Sequence, residues 1–323
     1  MDALIVTIIV IAVLIVLALA ALLAVKLRVA SLKRLPNPIP ATALHDGLIG
    51  AEVFVTTTDG TRLRTVSAGQ GATVVLAHGY GYAAEEWNVI AARLLNAGYH
   101  VITFDQRGHG KSTIGSGGVG SAQMADDYVA VLEHYDVQDA ILVGHSMGGF
   151  LAQVFWLRHP DVATARVSAL VLFATFAGNV LVGAPQNRVQ IPLIKYGILQ
   201  RILKTDLGWL FGASLMGRPP SPAVIELFLK VFGAQDHKRL VPIIESFGRE
   251  DYYPSIHAID VPTVVICGER DATTPRWHSE KLGTLIPKAR NVWVPDKGHL
   301  LNWEAPDALI DAVTSLSRRA TAN

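Results

Sequence analysis

The chain has 323 residues, of which 50% are hydrophobic and 17% are charged, a composition that suits one large buried core and excludes a disordered protein. Its 28 Lys and Arg residues nearly balance 27 Asp and Glu residues, so no global field exists to attract nucleic acid. The single cysteine, Cys267, lies in an apolar run and has no partner for an internal disulfide.

The N-terminal segment, residues 3–25, is apolar and uncharged. As a helix it is about 34 Å long, enough to cross a bilayer, and we expect a single-pass transmembrane anchor within residues 1–28. A cleaved secretory signal is the alternative, for which residues 18–20 offer a small-residue cleavage site. The anchor is favoured because the apolar run exceeds a normal signal core and no Lys or Arg precedes it.

Basic residues follow this segment, whereas none precedes it. They are Lys26, Arg28, Lys33 and Arg34. By the positive-inside rule they place the long C-terminal part of the chain in the cytoplasm. Residues 29–50 then form a proline-containing linker, which we expect to be a stiff, extended spacer.

From residue 51 onward, short β-rich runs alternate with amphipathic helical stretches, which predicts a mostly parallel sheet with helices on both faces. Asp59-Gly60 separates the first two runs and predicts an antiparallel hairpin. Compact apolar runs predict buried parallel strands at residues 73–77, 101–104, 140–143, 169–173, 261–267 and 292–294.

The fourth and fifth of these predicted strands are separated by about 85 residues, far more than a βα connection needs. The intervening stretch is rich in apolar residues, which predicts a helical cap at residues 175–260. The cap would then divide the core into a first part, residues 51–174, and a second part, residues 261–323.

A strand, a G-x-S-x-G turn and a helix follow one another around Ser146, the predicted nucleophile. Gly144 and Gly148 stand two residues away on either side, where larger side chains would collide across so sharp a turn. The Met147 N–H would lie at a helix N-terminus, where it can stabilise an oxyanion. The Tyr80 N–H, in the glycine-rich turn after the strand at 73–77, is the candidate second donor.

A serine hydroxyl needs a histidine to accept its proton and a carboxylate to orient that histidine. Asp271, in a polar loop at the end of the strand at 261–267, is the candidate acid, with Glu269 as the alternative. Only His278 and His299 follow Asp271, and the motif requires the order serine, acid, histidine. His299 follows the last predicted strand and is the predicted base, whereas His278 is expected on a solvated helix surface.

One further motif carries no function. Residues 115–120 fit the G-x-G-x-x-G pattern of dinucleotide-binding turns but do not directly follow a strand, so we expect a flexible loop. The proposed chemistry requires no metal and no organic cofactor.

Several segments together resemble the α/β-hydrolase superfamily, and most closely its carboxylesterase, monoacylglycerol-lipase and cofactor-free haloperoxidase branches. The segments are His78-Gly79, Phe104 to Ser112, Gly144 to Gly149, Gly268 to Asp271, and Gly298-His299. The resemblance covers residues 51 to 317 without the cap. It implies the α/β-hydrolase fold and the same catalytic residues, Ser146, Asp271 and His299, with oxyanion donors at Tyr80 and Met147.

We therefore expect a membrane-anchored serine hydrolase that cleaves a hydrophobic, lipid-like carboxylic ester through an acyl-enzyme on Ser146. A thioesterase, a C–C bond hydrolase and a cofactor-free peroxidase-like enzyme are the enzymatic alternatives. A membrane-displayed binding protein that retains the fold is the non-enzymatic alternative. Besides substrate, the expected partner is the membrane, through residues 3–25, and nucleic acid is not expected to bind.

Overall fold

A computed structural model describes residues 3–45, 47–182 and 184–320. Residues 1–2, 46, 183 and 321–323 lie outside the described part. They belong, in that order, to the predicted segments 1–28, 29–50, 175–260 and 261–323. The strands are β1 (Ala51–Thr56), β2 (Arg62–Ala68), β3 (Thr73–Ala77), β4 (His100–Phe104), β5 (Ala140–His145), β6 (Val167–Phe173), β7 (Thr263–Gly268) and β8 (Ala289–Val294).

These strands form a single sheet in the order β1-β2-β4-β3-β5-β6-β7-β8. The hairpin of β1 and β2 is antiparallel and pairs antiparallel with β4, whereas all the pairings from β4 to β8 are parallel. The mostly parallel sheet and the antiparallel hairpin at its edge are therefore confirmed. Because the strands from β3 onward are parallel, their carboxyl ends share one edge of the sheet.

Helices precede, follow and alternate with the strands. They are α1 (Ala3–Leu32), α2 (Ala41–His45), α3 (Asn88–Asn96), α4 (Ser121–His134), α5 (Met147–Arg158), α6 (Pro160–Arg166), α7 (Pro185–Lys195), α8 (Ile198–Leu203), α9 (Asp206–Ser214), α10 (Pro222–Gly233), α11 (Val241–Arg249), α12 (Arg276–Leu285), α13 (Leu301–Glu304) and α14 (Pro306–Ala320). Helices α7 to α11 lie between β6 and β7, in the stretch predicted to form the cap.

The sheet is buried on both faces, which explains why its central strands are largely apolar. In β3, Val74 and Leu76 belong to a core cluster that includes residues of α3 and α14. Val75 and Ala77, which point to the opposite face, belong to a second cluster with residues of α4 and α5. The second cluster continues into the cap, so the cap and the sheet share one hydrophobic core.

Helix α1 is long and apolar enough to cross a membrane, and the apolar stretch up to Ala24 is exposed. The helix continues to Leu32, beyond the anchor predicted to end at residue 28. Its last turns are not free, because Val29 and Leu32 are buried and α1 packs against α9 of the cap. The ammonium group of Lys33 lies 4.7 Å from the centre of the Trp209 ring on α9, within cation–π distance.

The linker is fixed to the folded domain rather than forming a free extended spacer. The side-chain oxygen of Asn37 accepts hydrogen bonds of 2.9 Å from the Ser221 hydroxyl and the Ala223 N–H, at the start of α10. Leu44 in α2 is buried, and the Asn88 side chain donates to its carbonyl at 2.7 Å. Tertiary contacts thus order a segment whose local sequence favours an extended chain.

The glycine-rich loop at residues 115–120 is also held by specific bonds and is not a free loop. Asp59 accepts from the Gly117 N–H at 3.1 Å, and the buried Arg107 donates to the Gly118 carbonyl at 2.9 Å. Arg107 also bridges Asp59 and Asp127. The loop therefore has a structural role beside β2.

Candidate active site

Ser146 lies at the turn from β5 into α5 in a strained backbone conformation, with φ 49° and ψ −117°. Its N–H donates to the Phe173 carbonyl on β6 at 2.9 Å. Its own carbonyl accepts from the Gly149 and Phe150 N–H groups at 3.0 and 3.1 Å, and from the Thr175 hydroxyl at 2.5 Å. These bonds hold the strain in place and leave the half-buried Ser146 side chain at the carboxyl edge of the sheet.

Two glycines permit this turn because backbone approaches backbone at both positions. A Cβ added at Gly144 would lie 2.5 Å from the carbonyl carbon of Gly148, and one at Gly148 would lie 2.2 Å from the Ala77 oxygen. Neither contact involves a side chain that could move aside. The turn therefore packs directly against the end of β3.

The structure brings Ser146, His299 and Asp271 together in one line of hydrogen bonds. The Ser146 hydroxyl lies 3.1 Å from His299 Nε2, and His299 Nδ1 lies 2.9 Å from Asp271 Oδ2. A carboxylate only accepts hydrogen bonds, so the proton of the neutral imidazole belongs on Nδ1. The lone pair of Nε2 then faces the serine hydroxyl, as proton abstraction requires.

Asp271 is buried yet remains well supplied with donors. Its Oδ1 accepts from the N–H groups of Thr273 and Thr274 at 2.8 Å each, and its Oδ2 accepts from the Thr274 hydroxyl at 2.8 Å. Burial raises the pKa of Asp271, but the facing His299 and the Thr274 bonds outweigh it and hold the pKa below its usual range. The carboxyl group is therefore ionised at neutral pH.

The two predicted oxyanion donors, Tyr80 and Met147, belong to two turns that pack against each other beside Ser146. Met147 begins α5, and Tyr80 lies in the turn after β3 and lines the pocket at the site. Within the described residues, neither N–H has a hydrogen-bond acceptor. His78 Nδ1 is 2.7 Å from the Gly79 carbonyl, and because the peptide unit is planar and trans, this turns the Tyr80 N–H the opposite way.

A buried carboxylate, Glu86, links the turn after β3 to His299, and no motif in the sequence indicates this role. Glu86 Oε2 accepts from the Gly79 N–H at 2.7 Å, and its Oε1 lies 2.5 Å from His145 Nδ1, within ion-pair distance. His145 Nε2 is 3.0 Å from the His299 carbonyl. A carbonyl can only accept, so His145 carries a proton on Nε2.

This arrangement makes Glu86 and His145 an ion pair. Burial is the largest single influence and lowers the pKa of His145, but the charge and hydrogen bond of Glu86, the bond to the His299 carbonyl and the charge of Asp271 together outweigh it, so the net pKa lies above the ordinary value. The positive imidazolium and the negative carboxylate neutralise one another in a site where neither side chain is exposed to solvent. The pair therefore positions the backbones of Gly79 and His299 and makes no hydrogen bond to the Ser146 hydroxyl.

The two alternatives for the acid and the base lie elsewhere. Glu269 is exposed and faces Arg276 at 3.9 Å. His278 is not on a solvated surface as expected, because it is buried, stacks on Trp277 and lies 2.5 Å from the Tyr253 hydroxyl. Burial lowers the pKa of His278 to about 3, so it is a neutral core residue. Its neighbours come from distant elements that local sequence does not reveal.

A largely apolar pocket of about 770 Å³, counted to its opening, lies above Ser146 and His299. Most of its wall comes from the cap and the segments that lead into it. The apolar lining includes Phe176, Val180, Ile191, Ile194, Phe211, Phe228, Phe232 and Phe247. Such a pocket favours an apolar ligand, with polar groups gathered at the serine.

The Tyr80 side chain connects the turn after β3 to the cap helices that line this pocket. Its hydroxyl lies 3.0 Å from Nδ1 of His237, and His237 Nε2 is 2.7 Å from the Phe232 carbonyl. The carbonyl can only accept, so Nε2 donates to it and Tyr80 donates to Nδ1.

Among the described residues, no cluster of three or more His, Cys, Asp or Glu side chains is arranged to hold a metal ion.

Comparison with known proteins agrees with this architecture. The model of the alpha/beta hydrolase family matches residues 74–312. The chain belongs to the alpha/beta hydrolase family. The α/β-hydrolase fold, with a mostly parallel sheet and flanking helices, is thereby confirmed, and the chain is a hydrolase by family.

Among curated relatives, this hydrolase is 28% identical over 256 residues to a non-heme haloperoxidase of Rhodococcus erythropolis, covering 76% of this chain and 92% of the relative. It is 28% identical over 261 residues to a bifunctional esterase/perhydrolase of Acinetobacter calcoaceticus, with 76% and 92% covered. An esterase structure from Exiguobacterium antarcticum superposes with a TM-score of 0.72 at 22% identity, covering 83% of this chain and 98% of that one. That structure supports the fold alone.

We expect Gly148→Ala to destabilise the protein because its Cβ would meet the Ala77 oxygen at 2.2 Å. Overpacking of this kind costs roughly 1–3 kcal/mol or more and should lower the thermal unfolding midpoint by several degrees. Gly233→Ala is the matched control, since a Cβ there meets nothing within 4 Å and lies in α10. Equal midpoints for the two variants would contradict the close approach at Gly148.

We expect Glu86→Gln to change how stability depends on pH. The raised pKa of His145 means that the ion pair stabilises the fold fully below the ordinary pKa of 6.5 and that this contribution is lost as pH rises through the raised value. The thermal midpoint of the wild type should therefore exceed that of Glu86→Gln most at roughly pH 6 and least at roughly pH 9. Glu133→Gln, at an exposed position of α4, serves as control. A difference that is independent of pH would reject the charged pair.

Proposed function

We propose that this α/β-hydrolase is a membrane-anchored serine hydrolase that cleaves a hydrophobic, lipid-like carboxylic ester. The observation that carries the proposal is the hydrogen-bonded line Ser146–His299–Asp271 at the base of an apolar pocket. The geometry meets the requirement for an activated serine nucleophile, with a base oriented by a buried, ionised carboxylate.

In the proposed reaction, His299 Nε2 takes the Ser146 proton as the hydroxyl oxygen attacks the ester carbonyl. The negative oxygen of the tetrahedral intermediate accepts from the Met147 and Tyr80 N–H groups. Collapse of the intermediate breaks the bond to the alcohol, which leaves with the proton from His299, and an acyl-enzyme remains on Ser146. Water, deprotonated by His299, then releases the acid and restores the serine.

The substrate class is inferred from the pocket and from α1. An apolar wall that begins at the serine suits an acyl chain, because burial of each methylene group is worth about 0.8 kcal/mol. Helix α1 supports a membrane location because it is exposed, apolar and long enough to cross a bilayer, although a signal sequence would share these properties. The basic residues after the apolar run favour a cytoplasmic catalytic domain.

A perhydrolase-like reaction is the second candidate, because one relative bears that name and others are named haloperoxidases. In that reaction hydrogen peroxide rather than water would attack the acyl-enzyme, which transfers the acyl group to a peroxide oxygen and yields a peracid. Thioester and C–C substrates remain further alternatives. Parallel assays of peracid formation and of oxygen-ester and thioester hydrolysis would rank them.

Ser146→Ala should abolish both covalent labelling by a fluorophosphonate probe and ester hydrolysis, because the nucleophile is removed. Ser116→Ala is the matched control, since Ser116 is exposed in the glycine-rich loop, and it should keep both activities. Labelling that persists in Ser146→Ala would refute the assignment of the nucleophile.

Ile191→Trp should shift the substrate preference toward short acyl chains, because Ile191 lines the pocket from α7 and the larger ring would fill acyl space. We expect the ratio of kcat/KM for p-nitrophenyl octanoate to that for the acetate to fall by about tenfold or more. Val189→Trp is the control, since Val189 is on the same helix but is exposed. An unchanged ratio in Ile191→Trp would argue against this pocket as the acyl site.

A further inference from the structure

A second concave feature lies outside the pocket at Ser146, beside the end of α1. It is a largely polar groove of about 840 Å³, counted to its open mouth. Three arginines line it and come from three different parts of the fold: Arg28 from α1, Arg218 from the segment after α9, and Arg270 from the loop after β7. The groove therefore exists only when α1, the cap and the sheet are packed together.

The positive charge of this groove is largely uncompensated. Arg270 donates to Asp296 at 2.9 Å, and the Arg218 N–H donates to the Asp296 carbonyl at 2.9 Å. In the described part of the chain, no carboxylate lies within ion-pair distance of the Arg28 or Arg218 guanidinium. Of the three guanidinium groups, only that of Arg270 is thus paired, with the exposed carboxylate of Asp296. The planar N–H forks of such groups suit the oxygens of a phosphate.

The depth of the groove relative to a membrane follows from α1. The apolar run ends at Val25, and Arg28 lies three residues further along, a rise of about 4.5 Å. The headgroup layer on each side of the hydrocarbon core is roughly 5–7 Å thick. Burial of Val29 and Leu32 and the contact of Lys33 with Trp209 fix α1 to the cap, so this depth is set by the fold.

We propose that the groove of Arg28, Arg218 and Arg270 binds a phosphate group, and specifically that of an anionic lipid headgroup. The inference rests on the membrane anchor of the proposed function but not on the hydrolytic reaction. The shared chemistry is the phosphate, which free phosphate could also supply, and the two sources are separated by the experiment below.

The groove is connected to the candidate active site through its wall. The segment of residues 215–218 follows α9, and its Leu215 carbonyl accepts from the His299 N–H at 2.7 Å. Leu215 itself lines the apolar pocket, whereas Arg218 faces the basic groove. A headgroup bound by Arg218 would therefore fix the segment that holds the backbone of His299.

The test uses the full chain carrying Ser146→Ala, so that binding is measured without turnover. The protein is reconstituted in phosphatidylcholine nanodiscs with a fixed fraction of phosphatidylglycerol, and the phosphatidylglycerol retained after detergent extraction is counted by native mass spectrometry. We expect preferential retention of phosphatidylglycerol, and a decrease of at least about fivefold in the double variant Arg28→Glu, Arg218→Glu.

Lys26→Glu is the matched control. Lys26 lies at nearly the same depth on α1 but about 200° around the helix from Arg28, away from the groove. It should retain phosphatidylglycerol at close to the parent level. Equal loss in the control and the double variant, or no preference for phosphatidylglycerol in the parent, would overturn the proposal.

Competition separates the two sources of phosphate. If millimolar inorganic phosphate leaves the retained lipid unchanged, a lipid headgroup is the occupant; if it displaces the lipid as effectively as the double variant does, a free phosphate is the occupant and the lipid assignment falls. A chain that fails to enter nanodiscs would reject both the anchor and this site. Hydrolysis assays on the chain with Ser146 intact report separately on the proposed reaction.

Discussion

Direct packing of the β5–α5 turn against the end of β3 is the constraint on which the site depends. It requires glycine at positions 144 and 148, because backbone atoms occupy the space of both missing Cβ atoms. The same packing forces Ser146 to a positive φ and begins α5 immediately at Met147. This close approach thus brings together the Ser146 hydroxyl, the Met147 N–H at the start of α5 and the turn after β3.

Buried charge then fixes the remaining parts of the site relative to this turn. Asp271 and the pair Glu86–His145 are costly to bury, and each is offset by donors or by an opposite charge. The bonds that offset this cost join segments far apart in the chain, since Glu86 holds the Gly79 N–H while His145 faces the His299 carbonyl. Loss of one partner would leave an unpaired charge in the core. These residues therefore contribute a defined geometry to the site at a cost in stability.

The sequence predicted those features that depend on local pattern. Apolar runs located the parallel strands because strands buried on both faces consist mainly of apolar residues. The spacing of two glycines around Ser146 likewise reflects a contact within a few residues. The juxtaposition of Ser146, Asp271 and His299 followed from chain order and the shared edge of a parallel sheet. By contrast, the burial of His278 depends on Tyr253 and Trp277, and the role of Glu86 depends on Gly79 and His145. Such contacts have no period or motif in the local sequence.

The cap connects the N-terminal helix and linker to the pocket above Ser146. Its α9 packs on the end of α1, its α10 is capped by Asn37 of the linker, and its apolar side forms the pocket above Ser146. The cap therefore cannot move freely as a lid without breaking contacts to α1 or to the linker. If α1 spans a bilayer, the same contacts hold the pocket at a fixed height above the lipid surface. A hydrophobic ester that leaves the bilayer would then be received by an apolar pocket, which spares the acyl chain the cost of exposure to water.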